Sequence, residues 1–121
     1  MVLQESGEMY LETVLVLSQK KRFVRAIDIG EEMGFSRPSV SRAVHLLQDG
    51  GFLSIDADGA ITLTDAGREI AETIYERHTV LSKWLTSLGV PEDIAAADAC
   101  KIEHDISKES FAALRRHIDA L

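Results

Sequence analysis

The sequence predicts a mainly α fold in which a winged helix-turn-helix unit precedes three further helices. Three observations predict it. Apolar residues recur at helical spacing along most of the 121 residues. Glycine and proline interrupt that pattern at Gly34, Pro38, Gly50-Gly51 and Gly89-Val90-Pro91, cutting it into helix-length pieces. Two short alternating runs flank Asp58-Gly59, a dipeptide that favours a hairpin turn.

Each element follows in order. Leu11, Val14, Leu15 and Leu17 make an apolar stripe that predicts a first helix over residues 7–18. Lys20-Lys21-Arg22 reads as a polar turn. Residues 26–33, with Ile27 and Ile29, read as a second, short helix, and Gly34 stands just past its end, where a positive φ is common. Phe35 is expected to anchor the turn. Ser36 can cap a third helix, and Pro38 suits its first turn, where a missing N–H costs nothing. Val40, Ala43, Val44 and Leu47 then recur on one face, with Ser39, Ser41, Arg42 and His45 on others. Residues 52–55 and 60–63 form the hairpin. A long helix is expected over residues 64–88, another from Pro91 to about residue 104, and a last one over residues 108–120 behind a Ser107 cap.

Composition and charge narrow the function classes. Hydrophobic residues make up 45% and charged residues 27%, a globular rather than a disordered balance. No apolar run approaches the ~20 residues a membrane helix needs, and the opening Met1-Val-Leu-Gln lacks the basic start of a secretory signal. One cysteine, Cys100, excludes an internal disulfide. The default expectation is a cytoplasmic protein. The net charge of −7 argues against nucleic acid as a partner until its distribution is considered. Residues 18–55 hold six basic and four acidic residues, a local +2, while the remainder carries −9. An acidic body would repel DNA unless a bound cation offset it.

The basic segment has the plan of a DNA reader. A short helix, a turn containing glycine and a second helix starting with small polar residues would place that second helix in a major groove. Ser36, Arg37, Pro38, Ser39, Ser41 and Arg42 cluster near its start. Small hydroxyls allow close approach, and the helix dipole favours phosphate. Arg42 suits a guanine edge or a phosphate, and Pro38 and Ser39 suit thymine methyls. Lys20, Lys21 and Arg25 suit phosphates, which carry no sequence information. A three-helix core with a solvated polar face would show the same pattern. The hairpin that follows favours the DNA reader, because together they make a winged helix.

A second constellation is Cys100, Glu103 and His104. Their i, i+3, i+4 spacing puts a thiol, a carboxylate and an imidazole on one helical face, and all three are good metal donors. Met9 and Glu12 share a face of the first helix at i, i+3, and His78 offers another imidazole on the long helix. Taken singly, each has a plainer reading: Cys100 as a small core residue, Met9 as core filling, Glu103 with His104 as a solvated pair, and His78 as a surface residue.

With these residues in view, the chain resembles the iron-dependent repressor family, of the diphtheria-toxin-repressor and manganese-transport-regulator type. The resemblance rests on Glu8-Met9-Tyr10-Leu11-Glu12-Thr13, Ser36-Arg-Pro-Ser-Val-Ser-Arg42, Leu63-Thr-Asp-Ala-Gly-Arg68, Arg77-His78 and Cys100-Lys-Ile-Glu-His104, and covers nearly the whole chain. It implies a winged helix-turn-helix DNA-binding domain over residues 1–64. An all-helical dimerisation and metal-binding domain follows over residues 65–121. Met9, Cys100, Glu103 and His104 match the primary metal site of iron-type members, and His78 matches a ligand of the neighbouring site. Glu12 matches a ligand of manganese-type members, whose counterparts of Met9 and Cys100 are carboxylates. Ser82 and Ala96 stand where iron-type members carry further ligands. The chain ends near the dimerisation domain, so the SH3-like third domain of longer iron-type members is expected to be absent.

The resulting expectation is a repressor that binds a palindromic DNA operator as a homodimer when loaded with a divalent transition metal, Fe²⁺ favoured and Mn²⁺ possible. The dimer is expected on the helix after Pro91, through Ile94, Ala95, Ala96, Ala97, Ala99 and Ile102. Two alternatives stay open: a winged-helix regulator that senses a small organic ligand, with Cys100 inert, and a metal-dependent hydrolase.

Overall fold

The computed structural model describes residues 5–121. Residues 1–4, read above for a secretory signal, lie outside the described residues. Six helices and one hairpin follow in the order α1 (Glu5–Lys20), α2 (Ala26–Met33), α3 (Arg37–Asp49), β1 (Leu53–Ile55), β2 (Ile61–Leu63), α4 (Asp65–Ser87), α5 (Glu92–Asp105) and α6 (Lys108–Asp119). The order matches the expected one. The first helix is two residues longer at each end than the expected 7–18, because its polar ends add turns without adding core. Among the described residues no helix is long and apolar enough to cross a membrane.

The chain divides into two compact units, one ending at Glu72 and the other running Thr73–Leu121, so the division falls inside α4. The family-type boundary expected at residue 64 lies one helix start earlier.

In the first unit, α1, α2 and α3 enclose Leu11, Val14, Ile29, Val40, Val44 and Leu47, and the hairpin adds Leu53 and Ile61. Only one side of each short helix reaches this core. Ile29 is fully buried, while Ile27, two positions earlier, is 50% exposed, as a helical period requires. Phe35 meets the Tyr10 ring at 6.0 Å between centroids yet remains about half exposed. Gly34 has φ 72 and ends α2, its N–H donating to the Gly30 carbonyl. Asp28 fastens the other end of α2. It accepts from the Arg25 backbone N–H at 2.9 Å and from Lys21 Nζ at 2.8 Å, which holds its carboxyl below the usual carboxylate range, Lys21 first and the Arg25 N–H second.

The wing pairs Leu53 with Leu63, Ser54 with Thr62 and Ile55 with Ile61, antiparallel. Asp56 Oδ1 accepts from the N–H groups of Asp58 and Ala60 and so closes the turn. Thr64 joins the wing to α4: its hydroxyl donates to the Gly51 carbonyl and accepts from the Gly67 N–H. Gly67 lies where a Cβ would stand 2.0 Å from the Phe52 carbonyl oxygen. Only glycine lets α4 start this close to the hairpin.

In the second unit the buried residues are Ile74 and Leu81 on α4 and Ala95, Ala99 and Glu103 on α5. The last three recur every four residues, so a carboxylate occupies the next place in a buried alanine line. α6 has no fully buried residue. Ion pairing of Arg115 with Glu76 holds it to α4, and Arg77 lies 5.6 Å over the Phe111 ring.

Candidate metal centre and nucleic-acid interface

Glu103 is the centre of the second unit's polar cluster. It is 0% exposed, and burying a carboxylate costs several kcal/mol unless positive charge and hydrogen bonds compensate. Its two oxygens are treated differently. Oε2 accepts from His78 Nδ1 at 2.8 Å. Oε1 has no hydrogen-bond partner among the described residues, although His104 Nε2 stands 3.3 Å away. Glu103 Oε1 and His104 Nε2 thus lie side by side, and both kinds of atom can ligate a transition metal.

Cys100 adds the third donor. One ligand atom each from Cys100, Glu103 and His104 lies within 4.8 Å of the others. Donors about 2.0–2.3 Å from one ion lie roughly 3–4 Å apart, so this trio fits a transition metal with small side-chain adjustments. The set mixes thiolate, imidazole and carboxylate, which suits Fe²⁺, Co²⁺, Ni²⁺ or Zn²⁺ and, less well, Mn²⁺. The structure thus brings Cys100, Glu103, His104 and His78 together within one unit. Met9 and Glu12 lie one turn apart on α1 of the first unit, both half-buried.

Arg77 has a place in this cluster that its sequence neighbourhood does not announce. Its Nη1 donates to the Glu103 carbonyl at 3.1 Å and to the Ile106 carbonyl at 2.9 Å. They stand at the C-terminal end of α5, one in its last turn and one just past it, where carbonyls lack helical partners. Arg77 therefore satisfies that turn and fixes the end of α5 that carries Glu103 and His104. His78, the next residue on α4, reaches the carboxylate of the same Glu103.

The first unit presents the other candidate surface. Val40, Val44 and Leu47 bury one side of α3, while Arg37, Pro38, Ser39, Ser41 and Arg42 are exposed. Ser36 is the N-cap, its Oγ accepting from the Ser39 N–H at 3.4 Å and donating to Ser39 Oγ at 2.9 Å. It therefore starts the helix as well as standing on the exposed face. Arg25 is exposed, and its Nε donates to the Asp58 carbonyl in the wing turn at 3.4 Å, which leaves the far end of the guanidinium to other partners. Lys21, expected to meet a phosphate, is ion-paired with Asp28.

The alanines expected on an outer face of α5 divide. Ala95 and Ala99 are fully buried within the unit, whereas Ala97, Ile94 and Ile102 are exposed.

Comparison with known proteins places each half of the chain in one family. Residues 2–61 match the family model for the iron dependent repressor, N-terminal DNA binding domain. Residues 64–121 match that for the iron dependent repressor, metal binding and dimerisation domain. The transcriptional regulator MntR of Escherichia coli O6:H1 is 30% identical over 106 residues, 88% of this chain and 68% of that protein. The HTH-type transcriptional regulator MntR of Geobacillus kaustophilus is 31% identical over 102 residues, 84% of this chain and 72% of that protein. A solved structure described as a manganese-dependent transcriptional repressor complex with manganese superimposes with a TM-score of 0.85 at 26% identity. The match covers 93% of this chain and 52% of that one, so the chain spans about half the length of that structure.

Proposed function

The chain belongs to the iron-dependent repressor family, and from that premise we propose that it is a metal-dependent transcriptional repressor. In this reading it binds a double-stranded DNA operator as a homodimer in the cytoplasm once a divalent transition metal occupies the site around Glu103. Glu103 carries the reading. A fully buried carboxylate with one oxygen lacking a hydrogen bond, next to His104 and Cys100, is costly as a structural element and well suited as a ligand. The relatives matched are named as transcriptional regulators, which leaves the hydrolase without support.

Cys100, Glu103, His104 and His78 are the residues proposed to hold the metal. Met9 and Glu12 are proposed as further donors from α1, on the strength of the family resemblance and their donor chemistry. When bound, the ion would supply two positive charges and a preferred coordination geometry. The chain's own residues do the rest. Glu103 supplies negative charge in place of a core alanine, and His78 is oriented through its Nδ1–H on Glu103. Arg77 holds the α5 turn that presents Glu103 and His104. Donors recruited from α1 would couple loading to the presentation of α3, shifting the population towards the DNA-competent form by the metal's differential affinity.

Among metals we place Fe²⁺ first and Mn²⁺ second. The Cys100 thiolate and the Met9 thioether are soft, and Mn²⁺ prefers oxygen and nitrogen. Glu12 and Glu103 pull the other way. The homodimer is supported by Ile94 and Ile102, 50% and 36% exposed on α5. A two-fold dimer demands a palindromic site, which Arg25, Ser36, Arg37, Pro38, Ser39, Ser41 and Arg42 are proposed to contact.

The test is selection of duplexes from a random-sequence pool by the full chain with buffered metal, followed by gel shifts with and without chelator. A palindromic site whose binding disappears with chelator and returns with metal supports the proposal. Binding indifferent to chelator would favour a regulator of another ligand, with Cys100 a plain core residue.

A further inference from the structure

His45 lies one helical turn beyond Arg42 on α3, and both are exposed. With Val40, Val44 and Leu47 facing the core, helical geometry puts Pro38, Arg42 and His45 on the opposite side. His45 Nδ1 is 2.7 Å from the Ser41 carbonyl oxygen. A carbonyl oxygen only accepts, so Nδ1 carries the hydrogen. In the neutral ring Nε2 is then the lone-pair nitrogen. The same hydrogen bond ties the ring to the helix and turns Nε2 away from the backbone.

Arg42 on this face can only donate, and the serine hydroxyls can do either. In the tautomer that the Ser41 bond selects, His45 Nε2 is the group on this face that can only accept. Among base edges in the major groove, such an acceptor has one class of partner: an exocyclic amino group, adenine N6 or cytosine N4. Guanine N7 and O6 and thymine O4 are acceptors and would face it lone pair to lone pair. Leu46 is 63% exposed beside it. An apolar side chain there suits a thymine C5-methyl, which favours an A·T pair.

We propose that His45 is a specificity-determining residue that accepts a hydrogen bond from a base amino group, adenine N6 in the first place. This rests on α3 being the DNA-reading helix.

The experiment takes metal-loaded wild type, His45→Ala, His45→Gln and Arg42→Ala through selection from a random-sequence duplex pool. His45→Ala is expected to select the wild-type site except at one base pair per half-site, where the wild type demands one pair, A·T in the first place, and the variant accepts any. His45→Gln, whose amide can still accept, is expected to restore the demand. Arg42→Ala should relax a different position. At the demanded position, replacing adenine by purine or cytosine by pyrimidin-2-one deletes only the amino group. That should weaken wild-type binding roughly tenfold and leave His45→Ala unchanged. An unchanged site for His45→Ala, or indifference of the wild type to amino deletion on either strand of the relaxed base pair, would each overturn the assignment. If wild type selects a site but none of the three α3 variants alters it, the DNA-reading role of α3 falls, and this role of His45 with it.

Discussion

Gly67→Ala is a severe test of how the wing is joined to α4. The new Cβ would stand 2.0 Å from the Phe52 carbonyl oxygen and 3.0 Å from its carbonyl carbon. Both are backbone atoms, so no side chain can swing aside. Restoring an ordinary contact of about 3.2 Å needs more than 1 Å of displacement in a tightly packed region. That movement breaks the Thr64 N–H bond to the Phe52 carbonyl and the Thr64 hydroxyl bond to the Gly51 carbonyl, each worth about 1 kcal/mol. Overpacking adds about 1–3 kcal/mol, and the better helix propensity of alanine returns about 1 kcal/mol. The net expectation is a loss of about 2–4 kcal/mol. Urea unfolding of the metal-free protein measures it. Gly59→Ala is the control: its φ of 82 strains alanine, but nothing lies within 4 Å, so the loss should be only about 1–2 kcal/mol. If Gly67→Ala unfolds with the wild-type midpoint and slope, the close approach is not a constraint and the reasoning fails.

Glu103→Gln should abolish metal-induced stabilisation, which for wild type at a hundredfold excess over Kd is about 2.7 kcal/mol; thermal melts with and without Co²⁺ read it directly, and a retained shift would remove Glu103 from the ligand set. Arg42→Ala and Ser39→Ala should weaken operator binding, the arginine by about 1–3 kcal/mol, with metal affinity unchanged by calorimetry. Fe²⁺ should activate wild-type operator binding at lower free concentration than Mn²⁺ under anaerobic conditions, and Cys100→Asp should move the preference towards Mn²⁺; equal or better activation of wild type by Mn²⁺ would make it a manganese sensor. Asp28→Ala should cost about 1 kcal/mol by uncapping α2. Because the folded state depresses the Asp28 carboxyl, that contribution is complete above its unfolded value near 3.8 and fades as pH falls through the lower folded value. Unfolding midpoints of wild type and variant should therefore converge in acid.

The elements were legible wherever a residue type carries its own backbone geometry. Gly34, Pro38, Asp58-Gly59 and Ser107 mark helix ends and the turn because φ restriction, a missing N–H or a short acceptor side chain acts locally. The Cys100, Glu103, His104 trio was legible for the same reason, since three donors on adjacent turns share a face whatever surrounds them. The part of His78 as partner of Glu103 was not, because it depends on how α4 packs against α5. Arg77 was less legible still: its partners are the carbonyls of Glu103 and Ile106, and a carbonyl leaves no mark in a sequence. The alanines of α5 show a third limit. Ala95 and Ala99 are interior and Ala97 is exposed, a division that side-chain size alone does not reveal. Gly67 reads as an ordinary helical glycine until the Phe52 backbone is placed against it.

Lys21 in the first unit is joined to Asp28 at 2.8 Å, and Arg68 lies 3.8 Å from Glu72. Each of these cations has a carboxylate beside it when it meets a duplex. A complex that neutralises few phosphates releases few condensed counterions, and its affinity falls only gently as salt is added. In the proposed DNA-bound form, Lys21 and Arg68 would therefore add little to the nonspecific electrostatic share of affinity. Discrimination between sites would rest on the base edges that α3 can touch.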